Sequence, residues 1–205
     1  GAVRCDKASP AFFNCIFSEN KVYGYPAKGG AVEAVDSEPY FCNCKFMNNT
    51  AQDGGAAIYS AGHTVLDNCL ILGNSDESLL LTGRGSCIEL ENCTVTNSTS
   101  ESYGVYSGPD LSAIVAKSCI FWSNSDSPFN LGTYASAVIT FSNVTGGIDG
   151  EGNINQDPQF CSGPAGEYYL SQTSAGQSDN SPCLDSGAAS AASSYCLFSS
   201  GVVYY

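Results

Sequence analysis

Two acidic residues, Asp67 and Glu91, are the side chains of this sequence most suited to chemistry. Each stands two residues before a cysteine, Cys69 or Cys93, in segments that lie 24 residues apart. If those segments stack, the two carboxylates become neighbours, which is the arrangement that glycosidases use for acid–base or nucleophilic catalysis. Acidic side chains on an outer face are more commonly solvated surface. We therefore predict that the pair is surface and that the chain has no strong catalytic centre.

Five cysteines form a second candidate site. They recur at intervals of 24 to 29 residues, as Cys15, Cys44, Cys69, Cys93 and Cys119. Zinc sites need four ligands that converge tetrahedrally, and side chains stacked in a row do not converge. The single histidine, His63, follows a glycine in a predicted turn and has no evident triad partners. We predict no metal and no cofactor, and we expect the five cysteines to be core side chains, more than about 90% buried.

Three further cysteines, Cys161, Cys183 and Cys196, lie outside this series. A disulfide that closes a loop of about 20 residues stabilises a protein by about 3 kcal/mol. We predict a disulfide between Cys161 and Cys183, with a Cys183–Cys196 pair as the alternative. Adjacent thiols of the main series could also pair where the backbone brings them close enough.

Asparagine occupies the position before most of these cysteines. Its side chain tolerates the left-handed backbone of a sharp bend and can bond to the equivalent asparagine of the next repeat. We predict such a ladder from Asn14, Asn43, Asn68, Asn92 and Asn143, with Val144 in the cysteine position of the last repeat. Asn-x-Ser/Thr sequons at Asn48, Asn97 and Asn143 would permit glycosylation in a competent host.

These residues belong to a repeat of about 25 residues that occurs six times. Apolar residues recur three positions before and two positions after the cysteine, and another apolar segment precedes it by about a dozen residues. Because strand side chains alternate, positions −3, 0 and +2 can share one interior only if the chain bends at −1. Three short strands per repeat describe one coil of a parallel β-solenoid. The sequence lacks the signature of a leucine-rich repeat, and each blade of a propeller needs more residues than this repeat has.

Several motifs resemble those of a known family. Residues 54–58 and 46–49 resemble the GGA-I and F-x-x-N motifs of polymorphic outer-membrane-protein repeats, and residues 153–160 and 181–187 resemble the terminal coil of secreted bacterial β-helix surface proteins. The resemblance implies an all-β, right-handed parallel β-helix of the pectin-lyase-like superfamily, with about six to seven coils of roughly 25 residues. We assign residues 1–160 to the coils, and 161–205 to a terminal coil and C-terminal strand of the same domain.

Relatives with this fold include polysaccharide lyases and glycoside hydrolases. A lyase uses a basic residue beside a carboxylate-bound calcium ion, whereas Lys45 and Lys117 here do not align with an aspartate column. The Asp-Asp and His-Gly signatures of polygalacturonases are absent from the sequence. The resemblance therefore implies the fold and a surface location, and it leaves the activity open.

The charge of the chain excludes one class of partner. Among 205 residues, 20 are acidic and 7 basic, a net charge of −13, which repels phosphate backbones and excludes nucleic-acid binding. No apolar run approaches the roughly 18–20 residues of a membrane-spanning helix. Eleven cysteines and a first residue other than methionine are typical of a processed protein that is secreted or held at the cell surface.

The ends of a solenoid expose unpaired strand edges unless something covers them. The last residues of the sequence, Val202, Val203, Tyr204 and Tyr205, are uncharged and prone to form a strand. We expect a structural or adhesive subunit that packs end to end with copies of itself, as an oligomer or filament. In the alternatives, this segment caps its own coil, or the chain binds or cleaves an extracellular polysaccharide.

Overall fold

The computed structural model describes residues 1–75, 78–83, 85–96, 103–107, 112–122, 128–164 and 166–188. Apart from one turn of 3-10 helix at Thr173–Ala175, the regular structure of these residues is β. In chain order the strands are β1 (Val3–Asp6), β2 (Ala11–Phe13), β3 (Ile16–Ser18), β4 (Lys21–Val22), β5 (Val32–Val35), β6 (Tyr40–Cys42), β7 (Lys45–Met47), β8 (Thr50–Ala51), β9 (Ile58–Ala61), β10 (His63–Asp67), β11 (Leu70–Leu72), β12 (Ser78–Thr82), β13 (Cys87–Glu91), β14 (Thr94–Thr96), β15 (Tyr103–Ser107), β16 (Ala113–Lys117), β17 (Ile120–Trp122), β18 (Phe129–Leu131), β19 (Ser136–Thr140), β20 (Asn143–Val144), β21 (Phe160–Gly163) and β22 (Gly166–Leu170).

Three parallel sheets of six strands each form the walls of a solenoid. The first sheet has the order β1-β5-β9-β12-β15-β18, the second β2-β6-β10-β13-β16-β19 and the third β3-β7-β11-β14-β17-β20. Each coil contributes one strand to every sheet, so the described residues contain six coils. The all-β parallel solenoid predicted from the repeat is confirmed.

The strand register reproduces the sequence repeat in the early coils. Phe12 pairs with Phe41, Phe41 with Leu66, and Leu66 with Leu90, and these are the residues three positions before each cysteine. The rings of Phe12 and Phe41 stack with their centroids 4.9 Å apart, which is about the spacing of neighbouring strands. Each coil therefore buries its inward side chains against the same kind of side chain in the next coil.

A left-handed residue forms the corner between the second and third sheets. This residue is Asn14, Asn43, Asn68 and Asn92 in the first four coils, with φ between 52° and 58°, and Ser118 in the fifth, with φ of 54°. Asn43 Nδ2 donates to Asn14 Oδ1 at 2.8 Å, and Asn68 Nδ2 donates to Asn43 Oδ1 at 3.5 Å. The predicted asparagine hydrogen bonds are confirmed among Asn14, Asn43 and Asn68.

A second asparagine ladder lies inside the first three coils, five positions after Cys15, Cys44 and Cys69. Asn49 and Asn74 are fully buried, and both the backbone N–H and Nδ2 of Asn49 donate to Asn74 Oδ1, at 2.9 and 2.8 Å. The remaining amide hydrogens reach main-chain carbonyls of the preceding coil: Asn49 Nδ2 donates to Phe17 O, and Asn74 Nδ2 donates to Phe46 O, both at 2.9 Å. These amides thus supply partners for backbone groups that the bend leaves unpaired.

The sixth coil is shifted by two residues from the alignment read off the sequence. Cys119 N–H donates to Ser142 Oγ at 3.0 Å, so Ser142 occupies the cysteine position that was predicted for Val144. Phe141, with φ of 50°, takes the corner. Asn143 lies in β20 and is 3% exposed. The predictions of a corner role and of glycosylation at Asn143 are therefore wrong, because its side chain is buried beneath the residues that follow.

Those following residues cover the sixth coil. Ile154 N–H donates to Ser142 O, and Val144 N–H donates to Ile154 O, both at 2.9 Å. Asn153 adds two side-chain bonds: its Nδ2 donates to Ile139 O at 2.9 Å, and its Oδ1 accepts from Ser142 N at 3.0 Å. The antiparallel hairpin β21–β22 follows. The chain that follows therefore covers β20 and the end of β19.

Candidate functional site

Four members of the cysteine column form a buried ladder. Cys44, Cys69, Cys93 and Cys119 are each at most 1% exposed. Cys69 N–H donates to Cys93 Sγ, and Cys93 N–H donates to Cys119 Sγ, both at 3.4 Å. Burial raises the pKa of the Cys93 thiol well above its ordinary value, so this sulfur stays protonated. The row of sulfurs fills the core and accepts backbone N–H groups, and it does not converge on one point as metal ligands do.

Cys15, the fifth member, departs from this pattern. It is half-buried, and its Sγ donates to Phe13 O at 3.4 Å. The expectation of nearly complete burial is wrong here, because within the described residues the first coil has a neighbouring coil on one side only.

The terminal cysteines are not linked as predicted. Cys161 and Cys183 are both free thiols, so the Cys161–Cys183 bridge and the alternative Cys183–Cys196 bridge are both wrong. Cys183 packs in a small cluster with Ile120 and Leu170 and accepts a hydrogen bond from Asn143 Nδ2 at 3.0 Å. Its sulfur is committed to packing under the sixth coil, whereas Cys161 lies on the hairpin. Cys196 itself lies outside the described residues.

The remaining residues predicted for glycosylation and assembly are either exposed or lie outside the described residues. Asn48 is exposed and follows β7 with φ of 56°, so its sequon is open to a glycosylating enzyme. Asn97 and the predicted assembly segment, Val202, Val203, Tyr204 and Tyr205, lie outside the described residues.

The two acidic candidates lie side by side on the outer face of the second sheet. Asp67 pairs with Glu91, and Glu91 pairs with Lys117, on adjacent strands β10, β13 and β16. Lys117 Nζ lies 4.0 Å from Glu91 Oε1, and Tyr40 Oη donates to Asp67 Oδ2 at 3.1 Å. The structure thus brings together the residues that the repeat aligned, and it adds a phenol and an ammonium group to them.

The two acids of this row, Asp67 and Glu91, differ in their exposure to solvent. Asp67 is 4% exposed, whereas the Glu91 side chain is 37% exposed. Burial raises the pKa of Asp67, the charge of Glu91 adds to this rise, and the hydrogen bond from Tyr40 opposes it. Burial and Asp67 together raise the pKa of Tyr40 to about 12. A buried acid beside a more exposed one is the kind of unlike pair that glycosidases use, but the burial of Asp67 keeps it from contact with a bulky polysaccharide.

A second cluster on the same face was missed by the sequence reasoning. His63 pairs directly with Cys87 on adjacent strands, and Glu89 follows two residues along β13. One ligand atom from each residue lies within 4.8 Å of the other two. His63 Nε2 is 2.9 Å from Glu89 Oε1; this nitrogen is buried and makes no hydrogen bond within the described part of the chain. Burial, followed by the charge of Glu89, raises the pKa of the Cys87 thiol.

The signal for this cluster was present in the spacing. His63 and Cys87 stand six positions before Cys69 and Cys93 respectively, so they occupy one column of the repeat. Because that column mixes residue types, a search for repeated residues passes over it. His63 begins strand β10 and does not lie in the turn that its neighbouring glycine suggested.

The comparison with protein families matches these coils. A family model described as right handed beta helix region covers residues 3–148, more than half of the chain. The chain belongs to the right-handed β-helix family. Neither curated proteins nor solved structures give a match. The matched region of this β-helix chain ends close to the last strand of the sixth coil, so the match describes the coils and leaves their activity open.

The regular structure of this β-helix chain also bears on membranes. The one helical segment in the described residues is three residues long, and no helix in that part of the chain meets the length and hydropathy of a membrane span.

Proposed function

We propose that the chain is a secreted or cell-surface structural subunit with an adhesive role, which joins copies of itself end to end. In this proposal a strand from one copy adds to the open edge of the first coil in the next. The supporting observation is the contrast between the two ends: the following chain bonds to β20 and the end of β19 in the sixth coil, whereas no described residue outside the first coil bonds to the outer edge of that coil.

The open edge has unused backbone hydrogen-bonding groups. In the second sheet, Tyr40 N–H donates to Pro10 O, and Asn14 N–H donates to Cys42 O at 3.1 Å. Backbone groups alternate along a strand, so those of Ala11 and the N–H of Phe13 point away from the second coil, whereas Phe13 O accepts from Cys15 Sγ within the first coil. Lys45 N–H donates to Cys15 O and Glu19 N–H to Met47 O, and the same alternation turns the N–H of Ile16 outward. A row of such groups is a template for strand addition.

The side chains of the first coil also favour a partner. Phe12 and Cys15 are only half-buried, although their counterparts Phe41 and Cys44 are at most 1% exposed. Another coil or strand on this end would bury them as the later coils bury their equivalents. Ile16, which is 63% exposed, lies at the same edge.

The added strand proposed here is the segment Val202, Val203, Tyr204 and Tyr205. Its sequence carries no charge and favours a strand, so it matches the uncharged strands β2 and β3 of this edge. A contact between unlike surfaces does not close on itself, and it extends into a filament unless the rotation forms a ring.

The narrower resemblance belongs to the same proposal. In the GGA-I-like motif, Gly55 has φ of 69° and Ile58 is fully buried, and in the F-x-x-N-like motif Phe46 and Asn49 are fully buried. These structural roles support a place among the polymorphic outer-membrane-protein-like repeats of the β-helix family, and with it a location at the cell surface. Labelling of intact and lysed source cells with an antibody tests the location, and equal labelling supports it.

Two variants with different defects test the assembly. Ile16→Pro removes the outward N–H without breaking an internal bond, and the matched control Ile16→Thr keeps it. Deletion of residues 201–205 removes the proposed strand. Sedimentation analysis and negative-stain microscopy of the 205-residue chain should show filaments or oligomers for the parent and for Ile16→Thr, and monomers for the other two.

A mixture of the two defective variants gives the sharper result. The deletion variant keeps the acceptor edge and Ile16→Pro keeps the donor strand, so an equimolar mixture should form dimers and nothing longer. A parent chain that is monomeric, or a mixture that stays monomeric although both variants are folded, contradicts the proposal. Association that survives the deletion and is lost in Ile16→Pro contradicts the assigned donor, because two open edges then pair with each other.

A second candidate function, polysaccharide binding or cleavage, has one observation for it and one against it: the pairing of Asp67 with Glu91, and the burial of Asp67, which is 4% exposed. Asp67 and Glu91 are register partners on one face, and the row gains Tyr40 through a hydrogen bond. Measurement of glycan cleavage by the parent and by Asp67→Asn/Glu91→Gln tests this function: activity that disappears in the folded double variant would support it over the structural role.

A further inference from the structure

We propose that His63, Cys87 and Glu89 form a binding site for one Zn2+ ion on the outer face of the second sheet. The ligands would be His63 Nε2, Cys87 Sγ and a carboxylate oxygen of Glu89, with water completing the coordination.

The strand register carries the geometry of this site. His63 and Cys87 are direct partners on β10 and β13, and Glu89 is on the same face two residues after Cys87. The three ligand atoms lie within 4.8 Å of one another. Tetrahedral zinc has bonds of about 2.0 to 2.3 Å, so its ligand atoms lie roughly 3.3 to 3.8 Å apart, and small side-chain rotations are enough to reach that geometry.

The donor atoms select the metal. One imidazole nitrogen, one thiolate sulfur and one carboxylate oxygen form a mixed set that suits Zn2+ better than Ca2+ or Mg2+, which prefer oxygen ligands alone. Three protein ligands and one water are the usual set at zinc sites that keep an open position.

The surroundings of His63 Nε2 favour a role as a metal ligand over a simple ion pair with Glu89. Its Nε2 is buried and makes no hydrogen bond among the described residues, although Glu89 Oε1 is 2.9 Å away. An ion pair would explain the approach of His63 and Glu89, but it gives no role to Cys87, which faces the same point. A zinc ion would use all three side chains.

Binding at this place would join two coils. His63 belongs to the third coil, and Cys87 and Glu89 belong to the fourth. A ligand that binds the folded chain and not the unfolded one raises the melting temperature, so Zn2+ should stabilise the solenoid as a clip across the interface between these coils.

The test uses the 205-residue chain, stripped with a chelator and kept reduced without added thiols. Titration with Zn2+ against a chromophoric chelator should give one site per chain and a higher melting temperature. Co2+ should give a thiolate-to-metal charge-transfer band. Cys87→Ser should abolish that band and weaken Zn2+ binding at least about tenfold, and His63→Gln and Glu89→Gln should each weaken it by a similar factor.

Cys161→Ser is the matched control, because Cys161 is also a half-buried free thiol but lies on the terminal hairpin. It should keep both the band and the affinity. Metal-free melting curves of each variant establish that it is folded. A parent chain that binds no Zn2+, or a Co2+ band that persists in folded Cys87→Ser, overturns the site.

Discussion

Within the described residues, the first coil keeps the residues of the repeat but has a neighbouring coil on one side only, whereas the sixth coil has lost several of those residues and is covered at β20 and the end of β19 by the chain that follows. The cysteine position shows the difference: Cys15 is half-buried in the first coil, and Ser142, which replaces the cysteine in the sixth, is 1% exposed. Burial at the two ends therefore depends on what covers the coil and not on the residue type that the coil carries.

At the covered end, the backbone N–H and C=O groups also find their hydrogen-bond partners in a different way. Within the solenoid, each strand takes its hydrogen bonds from two neighbours. At the sixth coil, Ile154 supplies main-chain bonds and Asn153 supplies side-chain bonds in place of a seventh strand. Backbone groups at an uncovered strand edge must instead bond to water or to a partner. The comparison explains why we place the assembly surface at the first coil.

The largest effect is expected from a charge in the cysteine ladder. Cys69→Asp places a carboxylate where the side chain is fully buried, which costs several kcal/mol and should unfold the chain. Cys15→Asp carries the same change at the open end and should leave a folded solenoid. Circular dichroism and urea titration compare the two variants. Equal loss of stability in both would mean that the first coil is as closed as the third.

A smaller effect is expected from the covering residues of the sixth coil. Asn153→Ala removes the bond to Ile139 O and the bond from Ser142 N, and it should lower the free energy of unfolding by about 2 kcal/mol. The control is Asn14→Gly at the open end, where glycine tolerates the φ of 58° and the asparagine is exposed.

Hydrogen exchange shows which strands Asn153→Ala and Asn14→Gly destabilise. Asn153→Ala should increase exchange in β19 and β20, and Asn14→Gly should cost less than about 1 kcal/mol. If the two substitutions cost the same, side-chain bonds do not distinguish the two ends.

The smallest effect is expected at Asp67. This residue lies in the third coil, which has a coil on each side and therefore serves as the reference for the two end coils. A carboxyl whose pKa is raised by burial in the folded state contributes most to stability below its unfolded pKa of about 3.9, and this contribution is lost as the pH rises through the folded pKa. Asp67→Asn keeps the bond from Tyr40 and removes the titration.

Melting temperatures as a function of pH test this reference. Asp67→Asn should be slightly more stable than the parent at pH 7, and the difference should vanish below about pH 4. The same difference in melting temperature should appear when both chains also carry Ile16→Pro, because Asp67 lies in the third coil and does not contact the open edge of the first coil. A parent chain that becomes more stable relative to Asp67→Asn as the pH rises past 4 would contradict the raised pKa of Asp67.

The sequence by itself determined the repeating coil. Apolar residues at fixed positions, with asparagine at the corner, stack on their own kind in the next coil, and this local rule sets the parallel register and the corner bonds of Asn14 and Asn43. The alignment of Asp67 with Glu91 followed from the same rule.

The tertiary structure decided what that rule does not specify. In the sixth coil the apolar pattern allows two alignments, and the main-chain hydrogen bonds of Ile154 with Ser142 and Val144 stabilise the one shifted by two residues. Cys183 is held by packing and a hydrogen bond instead of a disulfide, a choice that depends on contacts between segments far apart in sequence.

The cluster of His63, Cys87 and Glu89 also emerged only in three dimensions. Its residues differ in type, so no column of identical residues marks it, and the register of β10 and β13 is what brings their ligand atoms within 4.8 Å. Repetition in the sequence determines which positions become neighbours, because inward side chains stack in identical rows. Chemistry on the outer face depends on unlike side chains meeting across strands; the repeat places them in one column, and the folded structure shows which of their atoms come close enough to act together.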